Sequence, residues 1–476
     1  MNAATTRTER DSMGRMQVPA DALYGASTAR AIENFPIARR PVPAAVIHAF
    51  GHLKAACAQA NRDLGKLEPK TADAIVAAAE EVADGRHDAH FPVDVYQTGS
   101  GTSTNMNANE VIANLANRKL GLAGSEGAPA ESGTPRVHPN DHVNMGQSSN
   151  DTFPTAMHIA AAQQARDRLE PAMQRLHRTL DDQARRWDAI VKIGRTHLMD
   201  ATPIRVGQVF SGYAAQAREA AGRARVVFDG LRENMPIGGT AVGTGINTHG
   251  EFAARVCDRL RDRLGIEFVE ATNHPEAQAA KDRFVDAHGL LKTIAVSLSK
   301  IANDIRHLGS GPRCGIGELK LPAIQPGSSI MPGKVNPVIC ESVVQVAARV
   351  IGNDATVTTA SLGGVGSIFE LNVAMPVMID AYLESADLLA NVADVFVDKL
   401  LAGLEVDEDR CAELLERSLM TVTALAPEIG YDAAANIAKR ALAENRNIRE
   451  VVLDEGLVDE AKLDEVLDPA KMTRPG

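Results

Sequence analysis

Apolar residues recur with a strict seven-residue period in one part of the chain. Phe284, Leu291, Leu298 and Ile305 mark one position of the repeat, and Ala287, Ile294, Ile301 and Leu308 mark the intermediate one. An a/d seam of this kind predicts a helix lying along near-parallel neighbours. A second segment runs through Ile379, Leu383, Ala386, Leu389, Ala393, Phe396 and Leu400 on a three/four spacing. Residues 155–187, 206–233 and 338–358 also read as helix, with Pro171 expected to kink or restart the first. Five long helices predict an extended bundle. Their apolar stripes are wide and alanine-rich, which predicts oligomerisation through the bundle.

This pattern divides the chain into three parts: a mixed N-terminal domain over residues 1–145, a central helical bundle over 146–403 and a small helical domain over 404–476. The first contains a Gly/Ser/Pro-rich loop at residues 121–135. The last contains a turn at Glu428-Ile-Gly-Tyr431. No internal repeat or low-complexity tract is visible.

Between two of the helices, residues 309–337 hold six glycines and five prolines. A stretch of this length without regular structure is either functional or disordered. Ile316, Leu319, Leu321, Ile324, Ile330, Met331 and Val335 make it too apolar for a solvated tail. It reads as an ordered, partly mobile loop that carries chemistry. Within it, Gly327-Ser-Ser-Ile-Met-Pro-Gly-Lys-Val-Asn-Pro337 places two hydroxyls, a lysine and an amide among glycines, a set suited to a small anion.

Composition narrows the partners. The 476 residues carry a net charge of −11, which argues against nucleic acid and requires any anion site to be locally cationic or rich in donors. Aromatic residues are only 4%, which favours close helix packing over a β-sandwich. The five cysteines, Cys57, Cys257, Cys314, Cys340 and Cys411, are scattered, so neither a disulfide framework nor a zinc site is expected. The first residues lack the pattern of a signal or transit peptide, and no apolar run is long enough to span a bilayer. A cytoplasmic protein is expected.

Four further patches carry polar chemistry. Ser100, Gly101, Thr102, Ser103, Thr104, Asn105 and Asn107 precede a helix expected to begin near Asn109, and form either an anion site or an N-cap with a polar turn. In His138-Pro-Asn-Asp-His142, Pro139 breaks the helix a zinc-binding His-Glu-x-x-His pattern needs, and the glutamate is missing. The Gln147, Ser148, Ser149 and Asn150 that follow offer neutral donors to a carboxylate, or cap the next helix. His197, beside Thr196 on a loop with Arg195 and Asp200, is either an acid/base group or a structural histidine. The glycines of residues 238–247 do not match a nucleotide-binding pattern and read as a close helix-entry turn. Together these patches fit a small dianion held by neutral donors, with cofactor-free proton chemistry.

The loop Gly327 to Pro337 resembles the signature of the aspartase/fumarase superfamily. The likeness extends from Arg10-Asp-Ser-Met-Gly14 to Leu467-Asp-Pro469, and within the superfamily the chain is most similar to the class II fumarate hydratase family. Aspartases usually carry Gln where His197 stands and Ser-Thr-Asn where Ser148, Ser149 and Asn150 stand. The resemblance implies a mainly α, three-domain fold whose central helices form a tetramer core, with each active site shared by three subunits. It implies reversible hydration of fumarate to L-malate, with no metal and no cofactor. Ser328 is then the base for the C3 proton, and His197, supported by Glu341, the partner of the water or hydroxyl. Lys334, Asn336, Ser329 and Val335 would hold substrate with Ser100, Gly101, Thr102, Ser148, Ser149, Asn150 and Thr196. His138, Pro139, Asn140 and Asp141 would line a second carboxylate site. A family arginine near that site is displaced: Pro135 stands in its place and Arg136 follows. The competing readings are an aspartate ammonia-lyase and a non-catalytic structural protein on the same scaffold.

Overall fold

The computed structural model describes residues 6–122 and 136–475, so most of the loop read at residues 121–135, with Pro135, lies outside the described residues. A hairpin of β1 (Thr6–Asp11) and β2 (Gly14–Pro19) leads into α1 (Ala26–Asn34), α2 (Ala44–Asp63), α3 (Pro69–Ala83) and α4 (Thr102–Lys119). Next come α5 (Ser149–Gln164), α6 (Glu170–Arg186), a hairpin of β3 (Val191–Thr196) and β4 (Met199–Arg205), α7 (Val206–Leu231), α8 (Phe252–Leu264), α9 (His274–Ala279) and α10 (Asp282–Leu308). The remaining long helices are α11 (Val338–Ser361) and α12 (Met375–Lys399), followed by the short α13 (Glu408–Arg417), α14 (Ala426–Ile429), α15 (Tyr431–Glu444), α16 (Ile448–Glu455) and α17 (Glu460–Val466). The protein is mainly helical.

The heptad seam is buried as its period requires. Phe284, Leu291, Ile294 and Ile305 are fully inaccessible, and Leu298 and Ile301 nearly so. On α12 Ile379, Leu383, Ala386, Leu389, Ala393 and Phe396 are buried, as is Leu400 just past its end. The interruption at Pro171 is real: residues Ala165–Leu169 form a π turn, and α6 restarts at Glu170 with the proline in its first turn. There the missing N–H has no intrahelical partner to lose.

Two helix starts differ from expectation. α4 begins at Thr102 rather than near Asn109, because Gln97 Oε1 accepts from both the N–H and the hydroxyl of Thr104 and so caps a first turn made of weak helix formers. α5 begins at Ser149, because Ser148 and Asp151 form a reciprocal capping box.

The chain folds as two compact units. One comprises Met1–Glu170, Arg223–Thr293 and Ala348–Leu389; the other comprises Pro171–Gly222, Ile294–Ala347 and Ala390–Gly476. In the first, α2 packs on α3, α5 and α8. Its core includes the edge-on rings of His158, Phe284 and Tyr382. In the second, Trp187, Phe210 and Tyr213 stack edge to face. Val422, Leu425, Ile437, Val451, Val452 and Leu463 build a separate small core there. The turn read at residues 428–431 joins α14 to α15, with Gly430 at a φ of 88°.

Candidate active site

In the first unit, the starts of α4 and α5 converge. Ser100 Oγ lies 2.8 Å from Thr102 Oγ1, which lies 2.7 Å from Ser149 Oγ, a chain of three hydroxyls across two helix N-termini. Two glycines make the approach possible. Gly101 holds a φ of 73°, and a Cβ there would sit 2.0 Å from the Phe153 ring. A Cβ on Gly99 would lie 1.6 Å from the carbonyl oxygen of Val373. Asn150 donates its amide to the carbonyl of Ala241 at 2.8 Å, which fixes the third residue of the Ser-Ser-Asn run. The cluster itself consists of neutral donors at positive helix ends, a setting that favours an anion.

Two buried charges lie beneath this cluster. Asp151 is fully inaccessible; its carboxylate accepts from the backbone N–H groups of Ser148, Gly238 and Thr240 at 2.9, 3.1 and 2.8 Å. The glycine-rich turn of residues 238–247 thus closes on an acid rather than opening a helix. Burial raises the Asp151 pKa to about 6 against the pull of those N–H groups. Lys54 is also fully inaccessible, and its ammonium donates to Asn144 Oδ1 and Gln147 Oε1, both at 2.9 Å. Asn144 in turn donates to the Gln147 carbonyl at 3.1 Å, so the segment leading into Ser148 is tied to this ammonium.

In the second unit, His197 sits on a tight turn, not a loose loop. Thr196 pairs with Met199, and the two residues between, His197 and Leu198, have φ values of 57° and 64°. Positive φ at both central positions is the geometry whose twist matches a hairpin, although Asn-Gly is its usual occupant. The histidine is exposed, beside Leu198 at 81% and Met199 at 69%. The base of this hairpin is held by Glu318, 1% exposed, which meets Arg195 Nη1 at 2.9 Å and Lys192 Nζ at 3.1 Å.

The signature loop folds back on itself. Gly327 N–H donates to the Lys334 carbonyl at 2.8 Å, and Asn336 donates its amide to the Gly327 carbonyl at 2.6 Å. Within that closure Ser328 Oγ accepts from the N–H groups of Ile330 and Met331 at 3.2 and 3.0 Å. Two donors on one hydroxyl oxygen favour negative charge there. Ser328, Lys334 and Val335 line a cleft of about 400 Å³, with Ser329 exposed beside them. Glu341 lies in the first turn of α11. Among the described residues no hydrogen bond joins Glu341 to His197.

The proposed second site forms its own hollow. His138 caps a short π helix, Pro139–Val143, accepting on Nδ1 from the N–H groups of Asn140 and Asp141 at 3.3 and 3.1 Å. His138, Pro139 and Asn140 line a cavity of about 510 Å³ together with Arg10, Arg136 and Asn117. Asp141 is exposed.

Each unit therefore carries one part of the expected set: Ser100, Gly101, Thr102, Ser148, Ser149 and Asn150 in the first, and Thr196, His197, Ser328, Lys334, Asn336 and Glu341 in the second. Sequence reasoning missed Lys54, Asp151 and Glu318. Lys54 carried a visible signal, since Leu53, Ala55, Ala56 and Cys57 surround it with apolar residues in a helix.

The chain is similar to known proteins over most of its length. Residues 14–352 match the Lyase family, and residues 422–474 match the Fumarase C C-terminus family. A class II fumarate hydratase from Corynebacterium glutamicum is 54% identical over 96% of this chain and 93% of its own length. One from Methylorubrum extorquens is 51% identical over 99% and 97%. The crystal structure of a class II fumarase from Schistosoma mansoni superposes with a TM-score of 0.94 at 37% identity, covering 99% of this chain and all of that one. The chain belongs to the class II fumarate hydratase family.

Proposed function

We propose that the protein catalyses the reversible hydration of fumarate to L-malate, as the names of its relatives indicate for them. One structural observation carries the mechanism: the two backbone N–H groups on Ser328 Oγ. A proton on a carbon beside a carboxylate is weakly acidic, so a base must be strong and the resulting charge must be stabilised. In the dehydration direction Ser328, its alkoxide favoured by those N–H groups, takes the C3 proton of malate. The electron pair moves into the adjacent carboxylate, so that this group carries two negative charges as an aci-carboxylate and the intermediate three in all. Lys334 and preorganised neutral donors hold that extra charge. His197 protonates the departing hydroxyl on the opposite face, so that elimination is anti, and it activates water in the reverse direction.

Among the described residues no hydrogen bond joins Glu341 to His197 within one chain, which fits a site built from several copies. We infer a homotetramer in the cytoplasm, with each active site shared by three subunits. Exposed apolar side chains on long helices, Val226, Val296, Ile351 and Val395, support assembly through the bundle.

Ultraviolet absorbance tests the reaction directly. Purified protein with EDTA should generate fumarate absorbance from L-malate and none from L-aspartate. A rise from aspartate alone would make the chain an ammonia-lyase. No rise from either, with a folded protein, would overturn the assignment.

A further inference from the structure

The polar cluster at the starts of α4 and α5 contains no charged donor, yet a fully buried ammonium lies on the segment that builds it. Lys54 projects from α2, where Leu53, Ala55, Ala56 and Cys57 are all inaccessible. Burying an ammonium is costly unless it is paired, and a methionine of similar length would fill the same space at no such cost. Both hydrogen-bond partners of Lys54 are neutral amide oxygens, on Asn144 and Gln147. Asp151 acts on it only through space, and that carboxylate is already engaged by three backbone N–H groups. The positive charge is thus kept inside without a contacting counter-charge.

We propose that Lys54 is a positioning residue for the dianion: its buried charge supplies the attraction that the neutral hydroxyls of Ser100, Thr102 and Ser149 lack, and its two hydrogen bonds set the Asn144–Gln147 segment that presents Ser148, Ser149 and Asn150. The inference rests on the reading of this cluster as a dicarboxylate site. A charge inside low-dielectric protein is screened far less than one on the surface, so it acts on a bound anion without touching it. Burial pulls the Lys54 pKa down only to about 8, which leaves the ammonium charged at neutral pH. Asn105 extends the same network, donating to Asn144 Oδ1 at 3.3 Å and accepting from the Thr152 hydroxyl at 3.0 Å. The ammonium is therefore wired to the first turns of both helices.

Two ligands of the same shape separate charge from architecture. Succinate carries two charges; succinamate carries one, with an amide in place of the other carboxylate. Their dissociation constants are measured by calorimetry at neutral pH for the full-length wild type, Lys54→Met and Lys54→Gln, each checked for folding by circular dichroism. The Gln variant retains a hydrogen-bond donor and loses the charge. Both variants should bind succinate about tenfold or more weakly, the equivalent of about 1.4 kcal/mol, with succinamate changed by less than about threefold. Equal weakening for both ligands would overturn the proposal and leave Lys54 a purely architectural residue. So would unchanged succinate binding in a folded variant. Fumarate turnover by the wild type is measured alongside. If turnover is absent but the charge-selective loss remains, the proposed reaction fails and the role of Lys54 stands.

Discussion

Thr102 Oγ1 and Ser149 Oγ lie 2.7 Å apart although 47 residues separate them in sequence. Each stands in the first turn of its own helix, so the contact joins two positive helix ends through a shared proton. Thr102→Val keeps the shape and removes one hydroxyl of the chain. Fumarate KM should rise about tenfold, the size of one well-made hydrogen bond to a charged ligand. Steady-state kinetics with an unchanged thermal midpoint would locate the loss in binding rather than folding.

Ser328 should matter to the rate more than to binding. Loss of a positioned base removes roughly 10²–10⁴ of rate, so Ser328→Ala should lower kcat by about that factor while KM moves little. Near-normal turnover in this variant, with Lys334→Ala inactive, would move the base to His197 or to water.

Asn336 closes the loop through the Gly327 carbonyl. Asn336→Asp removes the donor and brings a carboxylate oxygen toward a carbonyl oxygen. Residues 327–336 should then exchange amide hydrogens faster and be cut earlier by protease, while the rest of the protein is unchanged. The expected loss in kcat/KM is about tenfold or more, because the Ser328 oxygen is held by the same closure.

Lys281 illustrates a buried lysine whose work is structural. Its ammonium donates to the carbonyls of Ala277, Gln278 and Ala280 at 2.7, 2.9 and 3.0 Å, filling the end of α9. Lys281→Met leaves buried carbonyls without donors and should destabilise the protein by about 3 kcal/mol, measured by urea unfolding. Activity of the folded fraction should persist.

His158 makes stability depend on acid. The ring is fully buried and bonded to the Leu231 carbonyl at 2.7 Å, and burial lowers its pKa from 6.5 to about 4. The unfolded chain therefore binds this proton first, so the stabilisation present above pH 6.5 drains away as pH falls toward 4. Asp151, raised from 3.8 to about 6, acts with the opposite sign over most of that window, from about pH 6 downward. Comparison with His158→Gln, which keeps a donor for Leu231, isolates the histidine. The wild type should lose about 3 kcal/mol more than the variant between pH 7 and pH 4.

The long helices were legible because burial of a seam imposes its period on the sequence, and Phe284 through Ile305 obey it. The signature loop was legible as ordered and functional, but not in its detail. Of its apolar residues Leu319 is buried, whereas Ile330 is 84% exposed and Met331 48%. Periodicity shows which residues are apolar, not what covers them. The resemblance makes Asn336 a substrate donor; in the structure its amide serves the Gly327 carbonyl, which composition cannot show. Lys54, Asp151 and Glu318 escaped notice because a single charge in a helix or loop is most often solvated. The fold shows that these three are not, and for Lys54 the apolar neighbours on α2 already hint at it.

The turn at His197 and Leu198 would be improved, as a turn, by Asn-Gly. A redesign for thermal resistance that optimised local backbone preference would therefore replace the one imidazole the hairpin carries to its tip. On the role proposed for His197, any gain in heat tolerance from this turn should come with a loss of turnover.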